Sequence, residues 1–292
     1  MPDPSGYGEM FDAASGVQIV WNSTSLKAWD KCPRYYKWTI LDGWRSRSES
    51  VHLTFGSHYA TGHQRYYEFR GAGLDRESAI REVVRLALAD TYGWEPDHDK
   101  NRWSLIRSIV WYFEVFREDL PVAEINGEPA AEIQFRFEDD GIEFVGQIDQ
   151  IVVYNGDEVI RDQKTTGGWL GPKYFQAFHL DHQPSLYLLA GYVTAKRQIS
   201  TFLIDAVRVT ATQSEYGRGL TMRTPAQLEE WRNDAHAAIG AAQRATLENK
   251  FPPRYSACSM YGGCVFRSIC AKSPEMRERH LRLDFVKEPA HD

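Results

Sequence analysis

An α/β core behind a helical N-terminal layer is the fold class that this sequence predicts, and three observations carry it. Between residues 23 and 117, apolar side chains recur at helical spacing behind capping residues. Residues 130–166 alternate apolar and polar side chains around two turn signals. A helical stretch, an apolar strand and a long helical stretch then follow in turn.

Taken in order, residues 1–20 show no periodicity and read as irregular. Ser23, Thr24 or Ser25 can cap a helix reaching about Ile40, with Leu26, Trp29, Tyr36 and Ile40 as its apolar positions. Asp75 can cap a second helix, which carries Ile80, Val83, Val84, Leu86 and Leu88. A third, from about Asn101 to Arg117, spaces Leu105, Ile106, Ile109, Phe113 and Phe116 along one face. The stretch AAEIQFRFEDDGIEFVGQIDQIVVYNGDEVIRDQKTT then reads as a meander of three strands, turning at Asp139–Gly141 and Asn155–Gly156. A helix from about Gln183 to Ala195, a strand around 200–210 and a helix from about Pro225 to Asn249 complete the core, with no repeat or low-complexity segment.

The 292 residues, 42% hydrophobic and 25% charged, suffice for one large domain or two smaller ones with a sizeable core. A net charge of −6 excludes a global basic footprint, so any nucleic-acid binding must use a local patch. The start, MPDPSGYGEM, has neither a basic n-region nor an apolar h-region, so no secretory signal is expected. The longest apolar run, around Leu186–Val193, is too short to span a bilayer. An intracellular chain without membrane association follows, a setting in which paired disulfides are rare.

The candidate chemistry begins at EVIRDQKTTGG, residues 158–168, where an apolar strand runs into Asp162 and Lys164 on one face. If Asn155–Gly156 turns the chain, strands 142–154 and 158–165 lie side by side and Asp149 of GQID approaches Asp162. Two carboxylates in one cleft repel each other unless a cation sits between them. Oxygen-rich sites of this kind suit Mg²⁺ or Mn²⁺. A neighbouring lysine could orient a metal-bound water and stabilise charge developing on a phosphate. The plainer alternative is a surface Asp–Lys pair, worth little if exposed, beside an unrelated aspartate. Gln183 and Tyr187 of HQPSLY lie one helical turn apart, and LTFGSHYATGH offers His58 just after a glycine and His63 further along. Singly, these read as well as a helix surface and as core or turn histidines.

In combination, His58, GQID, VIRDQKT and QPSLY resemble the PD-(D/E)XK nuclease superfamily in its RecB-like branch. The resemblance implies a restriction-endonuclease-like core, with a mixed central sheet flanked by helices, over residues 129–250. It would follow an irregular segment, 1–22, and a helical part, 23–128, that carries Cys32 and His58. Asp149 takes the first acidic position, Asp162 the second and Lys164 the lysine, while Gln183 and Tyr187 match the last motif. The histidine of the family maps to His58, with His63 as the alternative because the usual spacing after the glycine is not kept.

The implied activity is metal-dependent hydrolysis of DNA phosphodiesters, as an exonuclease acting on DNA ends or single strands in recombination or DNA processing. The implied partners are DNA and a recombination protein, and the implied place is the cytoplasm of a bacterial or phage-infected cell. His58, Asp149, Asp162 and the backbone carbonyl of Gln163 would hold one or two Mg²⁺ or Mn²⁺ ions. Lys164 would position the attacking water, and Gln183 with Tyr187 would brace Lys164 or contact the DNA backbone. Trp38, Tyr66, Tyr67 and Trp169 are the candidates for stacking on single-stranded bases.

The chain has four cysteines, Cys32, Cys258, Cys264 and Cys270, the last three spaced C-x5-C-x5-C. Four thiolates suit a tetrahedral Zn²⁺ or an iron–sulfur cluster, and the short C-x2-4-C knuckles usual for zinc are absent. The layout, with CPRYY around Cys32, resembles the iron–sulfur staple of RecB-like nucleases, including the CRISPR-adaptation and AddB-type nucleases, although their trio usually begins C-x2-C. It implies a [4Fe–4S] cluster on all four cysteines, tying the first helix to a C-terminal segment, 251–292, with zinc as the rival metal. Two readings of another class stand beside the nuclease: a catalytically silent DNA-binding module of a recombination complex, and a zinc-stapled structural protein.

Overall fold

The computed structural model describes residues 10–47, 50–260 and 263–287; residues 1–9 of the segment expected to be irregular and 288–292 of the expected tail lie outside them. Six strands form one sheet: β1 (Val20–Trp21), β2 (Ala131–Asp139), β3 (Ile142–Tyr154), β4 (Asp157–Thr166), β5 (Thr201–Val209) and β6 (Ser214–Met222). Their order is β1–β3–β4–β5–β6, with β2 paired to β3 off that path. The β1–β3 and β4–β5 pairs are parallel, whereas β3–β4 and β5–β6 are antiparallel, so the sheet is mixed as expected. The longer helices are α1 (Ser23–Lys31), α2 (Val51–Gly71), α3 (Arg76–Asp90), α4 (Arg102–Val115), α5 (His182–Ala195), α6 (Pro225–Leu247) and α7 (Pro274–Asp284). The chain divides into two compact units, one of residues 1–48, 135–146 and 224–292, the other of 49–134 and 147–223.

In the first unit the stretch expected to be irregular closes in strand β1, with Val20 beside Glu143 and Trp21 beside Phe144. Asn22 caps α1 through a capping box with Ser25. The single helix expected as far as Ile40 is broken at Cys32, whose backbone is extended (φ −172°, ψ 126°). Pro33 is the cause, since it has no N–H to donate and disfavours helical geometry in the residue before it. A single turn, Pro33–Tyr36, and a π-helical turn, Lys37–Leu41, follow. Trp38, Trp44, Phe266, Ile269, Leu281 and Phe285 form a small core here, next to a ribbon that pairs Trp44–Ser46 with Phe285–Lys287. Thr224 caps α6, and Pro225 occupies its first turn. Gly146, the first residue of GQID, has a packing reason: a Cβ there would lie 2.4 Å from the ring of Phe135.

The second unit packs α2, α3 and α4 around Phe55, Tyr59, Tyr66, Val83, Ile109 and Phe113, with Val207 and Val209 of β5 in the same cluster. Asp75 accepts the Ser78 N–H to start α3, and Asn101 forms a capping box with Ser104 to start α4, both where the sequence places them. Helix α2 has no counterpart in the sequence reading. Its apolar residues alternate with histidines, glycines and tyrosines, so no single stripe marks it. Gly62 lets α2 approach α4 closely, because a Cβ there would meet Ile109 Cδ1 at 2.7 Å. Strand β6 is also unannounced, since Gly217 and Gly219 weaken its strand signal. Both glycines make room for Phe175, which a Cβ on Gly219 would meet at 2.2 Å.

Candidate active site

The site grows from the hairpin between β3 and β4. Asn155 (φ 53°) and Gly156 (φ 92°) both adopt positive φ, as a tight two-residue turn requires. That turn fixes a register in which Gln150 faces Arg161, so Asp149 and Asp162 follow as the next positions along the two strands. The backbone N–H of Gln163 donates to Asp149 Oδ2 at 3.1 Å. Asp162 is 2% exposed, and its Oδ2 is ion-paired with Lys164 Nζ. Its Oδ1 accepts the Gln183 amide at 2.9 Å from α5, where Asp181 caps the helix and receives the Gln183 N–H at 2.8 Å. The strand-end carboxylate, the lysine and the helix glutamine are thus brought together as the sequence suggests, except that Gln183 braces Asp162 and not Lys164.

Strand alternation sends Arg161 and Gln163 to the other face of β4. The Gln163 amide lies 2.6 Å from His63 Nδ1 on α2. His63, Gln64, Glu132, Asp149 and Gln163 line one pocket. His58 is elsewhere: its ring lies 5.9 Å from that of Trp94. Five residues apart on one helix, positions 58 and 63 are separated by about 140° of rotation and cannot serve the same site. Of the two histidines considered, His63 is the one that shares a pocket with Asp149 and Gln163. Tyr187 is buried with its ring 6.2 Å from Phe202, so it supports β5.

The electrostatics follow from burial. Asp149 is pushed up to about 7, first by desolvation and then by the Asp162 carboxylate, with Lys164 opposing. Burial alone would lower the Lys164 ammonium, but the carboxylates of Asp162 and Asp149 hold it above its ordinary value. Burial pushes the His63 imidazole down to about 3, which keeps it neutral, and its Nε2 is buried without a hydrogen-bond partner.

Three participants escape sequence reasoning. Glu132 adopts positive φ (50°), pairs with the Gln147 amide and is raised by burial, yet nothing in AAEIQF sets it apart from any strand-surface glutamate. Lys100, 1% exposed, donates to Thr165 Oγ1 at 2.9 Å, and burial lowers its ammonium to about 8. Arg161 is fully buried; it donates to Asp119 at 2.8 Å and to Gln150 at 2.8 Å. Arg218 reaches Asp119 at 2.5 Å and Asp205 at 3.0 Å, and Tyr112 donates to Asp205 at 2.6 Å. Two arginines and two aspartates thereby neutralise one another beneath the strand that carries Asp162.

Of the aromatic residues considered for base stacking, Trp38 and Tyr66 are buried, and Tyr66 stacks on Phe113 at 3.7 Å. Tyr67 hydrogen-bonds Arg161 at 2.6 Å. These three serve packing, whereas Trp169 is 71% exposed.

The four cysteines lie in the first unit, where Cys32, Cys258, Cys264 and Cys270 line one pocket with Arg34 and Trp38. The Cys32 thiol accepts the Arg254 N–H at 3.3 Å, and burial raises the Cys264 and Cys270 thiols above their ordinary values. Among the described residues, however, no group of three or more His, Cys, Asp or Glu side chains is arranged to hold a metal ion. The side-chain geometry therefore gives the expected iron–sulfur staple no support beyond the shared pocket. Among the described residues, too, no helix is long and apolar enough to cross a membrane.

Comparison with known proteins bears on the fold and the family. A candidate exonuclease from Eubacterium rectale, of known structure, covers 87% of this chain and 89% of its own at 13% identity with a TM-score of 0.52, a likeness of fold alone. A second solved structure, SSO0001, covers 87% of this chain and 86% of its own at 11% identity, but its TM-score of 0.32 is too low to bear on the fold. No curated protein matches the chain. The family comparison matches residues 20–271, a span that includes Asp149, Asp162, Lys164 and Gln183, and by that match the chain belongs to the PD-(D/E)XK nuclease superfamily.

Proposed function

We propose that this nuclease is a metal-dependent deoxyribonuclease that acts as an exonuclease on DNA ends or single strands. The observation that carries the reading is the convergence of Asp149, Asp162, Lys164 and Gln183 at the end of β4. The donor chemistry fits a hard divalent cation such as Mg²⁺ or Mn²⁺. The Asp162 carboxylate helps push Asp149 up to about 7, a repulsion that a cation relieves, and a neutral imidazole with a free buried Nε2 lies in the same pocket as Asp149. Asp149, Asp162 and the Gln163 carbonyl would hold the ion, with His63 supporting them from the pocket it shares with Asp149 and the Gln163 side chain. When bound, it supplies Lewis-acid charge to the phosphate and lowers the pKa of an attacking water.

The residues of the chain do the rest. Gln183 holds Asp162 in one orientation. Lys164, kept protonated by the two carboxylates, places a positive charge where negative charge builds on the phosphate and donates a hydrogen bond to the attacking water. The exonuclease character is supported by the name of the Eubacterium rectale neighbour. End-labelled linear and circular DNA, single- and double-stranded, incubated with Mg²⁺ or Mn²⁺, tests the reading. Loss of the linear substrates with circles intact is expected. Nicked or linearised circles would make the enzyme an endonuclease, and no cutting of any substrate would remove the reading altogether.

The iron–sulfur cluster belongs to the same proposal and rests on the shared pocket of the four thiols. Protein purified without oxygen should be brown, absorb near 400 nm and carry about four irons per chain. Colourless protein holding one zinc would assign the cysteines to the rival metal.

A further inference from the structure

We propose that Trp169 is a stacking platform for one unpaired base of the strand being cut, so that the site takes single strands or frayed ends in preference to intact duplex. This deepens the nuclease reading and rests on it. Trp169 follows Lys164 by five residues, a stretch that spans at most about 18 Å. At 3.4 Å per nucleotide along a strand, the indole is within about five nucleotides of the scissile phosphate.

A single exposed apolar side chain is ordinary and by itself says nothing. What distinguishes Trp169 is its support. A Cβ on Gly171 would fall 2.0, 2.3 and 2.7 Å from Cζ3, Cε3 and Cη2 of the indole, so the six-membered ring lies directly on the backbone of Gly171. The φ of Gly171 is −93°, a value open to any residue, so close approach of the ring is what demands glycine there. The rest of the ring is open: Trp169 is 71% exposed.

The segment is anchored as well. Phe175 is seated on Gly217 and Gly219 of β6, and Tyr174 packs on Phe178 with ring centroids 5.7 Å apart. Phe175 thereby ties the segment that carries Trp169 to β6, which pairs with β5, the neighbour of the strand that carries Asp162. A held indole presenting an open ring surface is what a nucleobase stacks on, and bases inside a duplex have both faces occupied already. Exposed Lys173, four residues on, adds a positive charge for the backbone of the same strand.

The test is equilibrium binding of the full chain, in Ca²⁺ so that the DNA stays intact, to a fluorescent single-stranded oligothymidylate and to a hairpin duplex of equal charge. Trp169→Ala should weaken single-strand binding roughly 5- to 150-fold, the range for loss of one stacked base. Duplex binding should change less than about 2-fold, the size of a surface substitution that touches no ligand. Trp169→Phe should restore most of the affinity, and Gly171→Ala, whose Cβ would displace the indole from its seat, should fall between. An unaltered thermal midpoint in the variants assigns the loss to contact. Wild-type affinity of Trp169→Ala for the single strand overturns the inference, as does an equal loss on both ligands. If wild-type protein cuts DNA in Mg²⁺ while Trp169→Ala binds single strands normally, the stacking inference alone falls; if wild type neither binds nor cuts DNA, the nuclease reading falls first.

Discussion

Gln183 donates its side-chain amide to Asp162 Oδ1 at 2.9 Å, and so a residue on α5 sets the orientation of a carboxylate on β4. The other oxygen of Asp162 is ion-paired with Lys164, so the carboxylate is held from both sides. Asp162→Ala and Lys164→Ala should each abolish cleavage while circular dichroism and the melting temperature stay near wild type. Gln183→Ala, which frees one oxygen, should lower cleavage about 10- to 100-fold, as loss of an orienting partner usually does. Full activity in Lys164→Ala would remove it from the chemistry.

His63 and His58 can be separated by metal binding alone. His63 lines the pocket with Asp149 and Gln163, whereas His58 lies against Trp94. Calorimetric titration with Mn²⁺ should show His63→Ala weakened about 10- to 100-fold, within the range for loss of a liganding or supporting group. His58→Ala should bind as wild type. The reverse order would return the ligand to His58.

The raised pKa of Asp149 makes metal binding pH-dependent in a defined direction. Its folded value, about 7, lies above the ordinary value of about 3.9. A proton on Asp149 therefore favours the metal-free folded state, and that contribution is lost as pH rises from about 4 to about 7. Metal must displace the proton. Apparent Mn²⁺ affinity should rise up to about tenfold per pH unit below 7 and level off above it, with proton release at pH 6 that vanishes by pH 8.5. Buffers of differing ionisation enthalpy measure that release, and its absence at pH 6 would mean that Asp149 is already ionised.

Local signals in the sequence were enough for much of this. Asp75 and Asn101 mark their helices because a cap is a contact between residues three apart. Asn155–Gly156 fixes the hairpin, and the hairpin brings Asp149 to Asp162. Other features depend on partners far along the chain. Helix α2 is wedged against α4 at Gly62 and therefore lacks a one-sided stripe, and without that helix His58 and His63 could not be told apart. Arg161 reads as one more charge in VIRDQKT until Asp119 and Gln150 are seen around it. The break at Cys32 could have been read from Pro33, but the apolar spacing through Tyr36 and Ile40 masked it.

Arg161 also sets the most demanding test of stability. It is wholly buried, and with Arg218 it balances Asp119 and Asp205. Arg161→Ala leaves buried carboxylates short of a counter-charge and should cost about 3–5 kcal/mol, a large part of the 5–15 kcal/mol that holds a typical domain together. Burial pushes Asp119 upward, but Arg161 and Arg218 outweigh it and hold the carboxyl well below the usual range. A depressed carboxylate contributes stability that is complete above its unfolded value of about 3.9 and is lost as pH falls through the folded value. Wild-type protein should therefore destabilise steeply below about pH 4, whereas Asp119→Asn should be weaker at neutral pH and flatter in acid. Urea unfolding at pH 7, 5 and 3 measures both slopes. Parallel pH profiles for the two proteins would show that Asp119 does not carry the acid sensitivity.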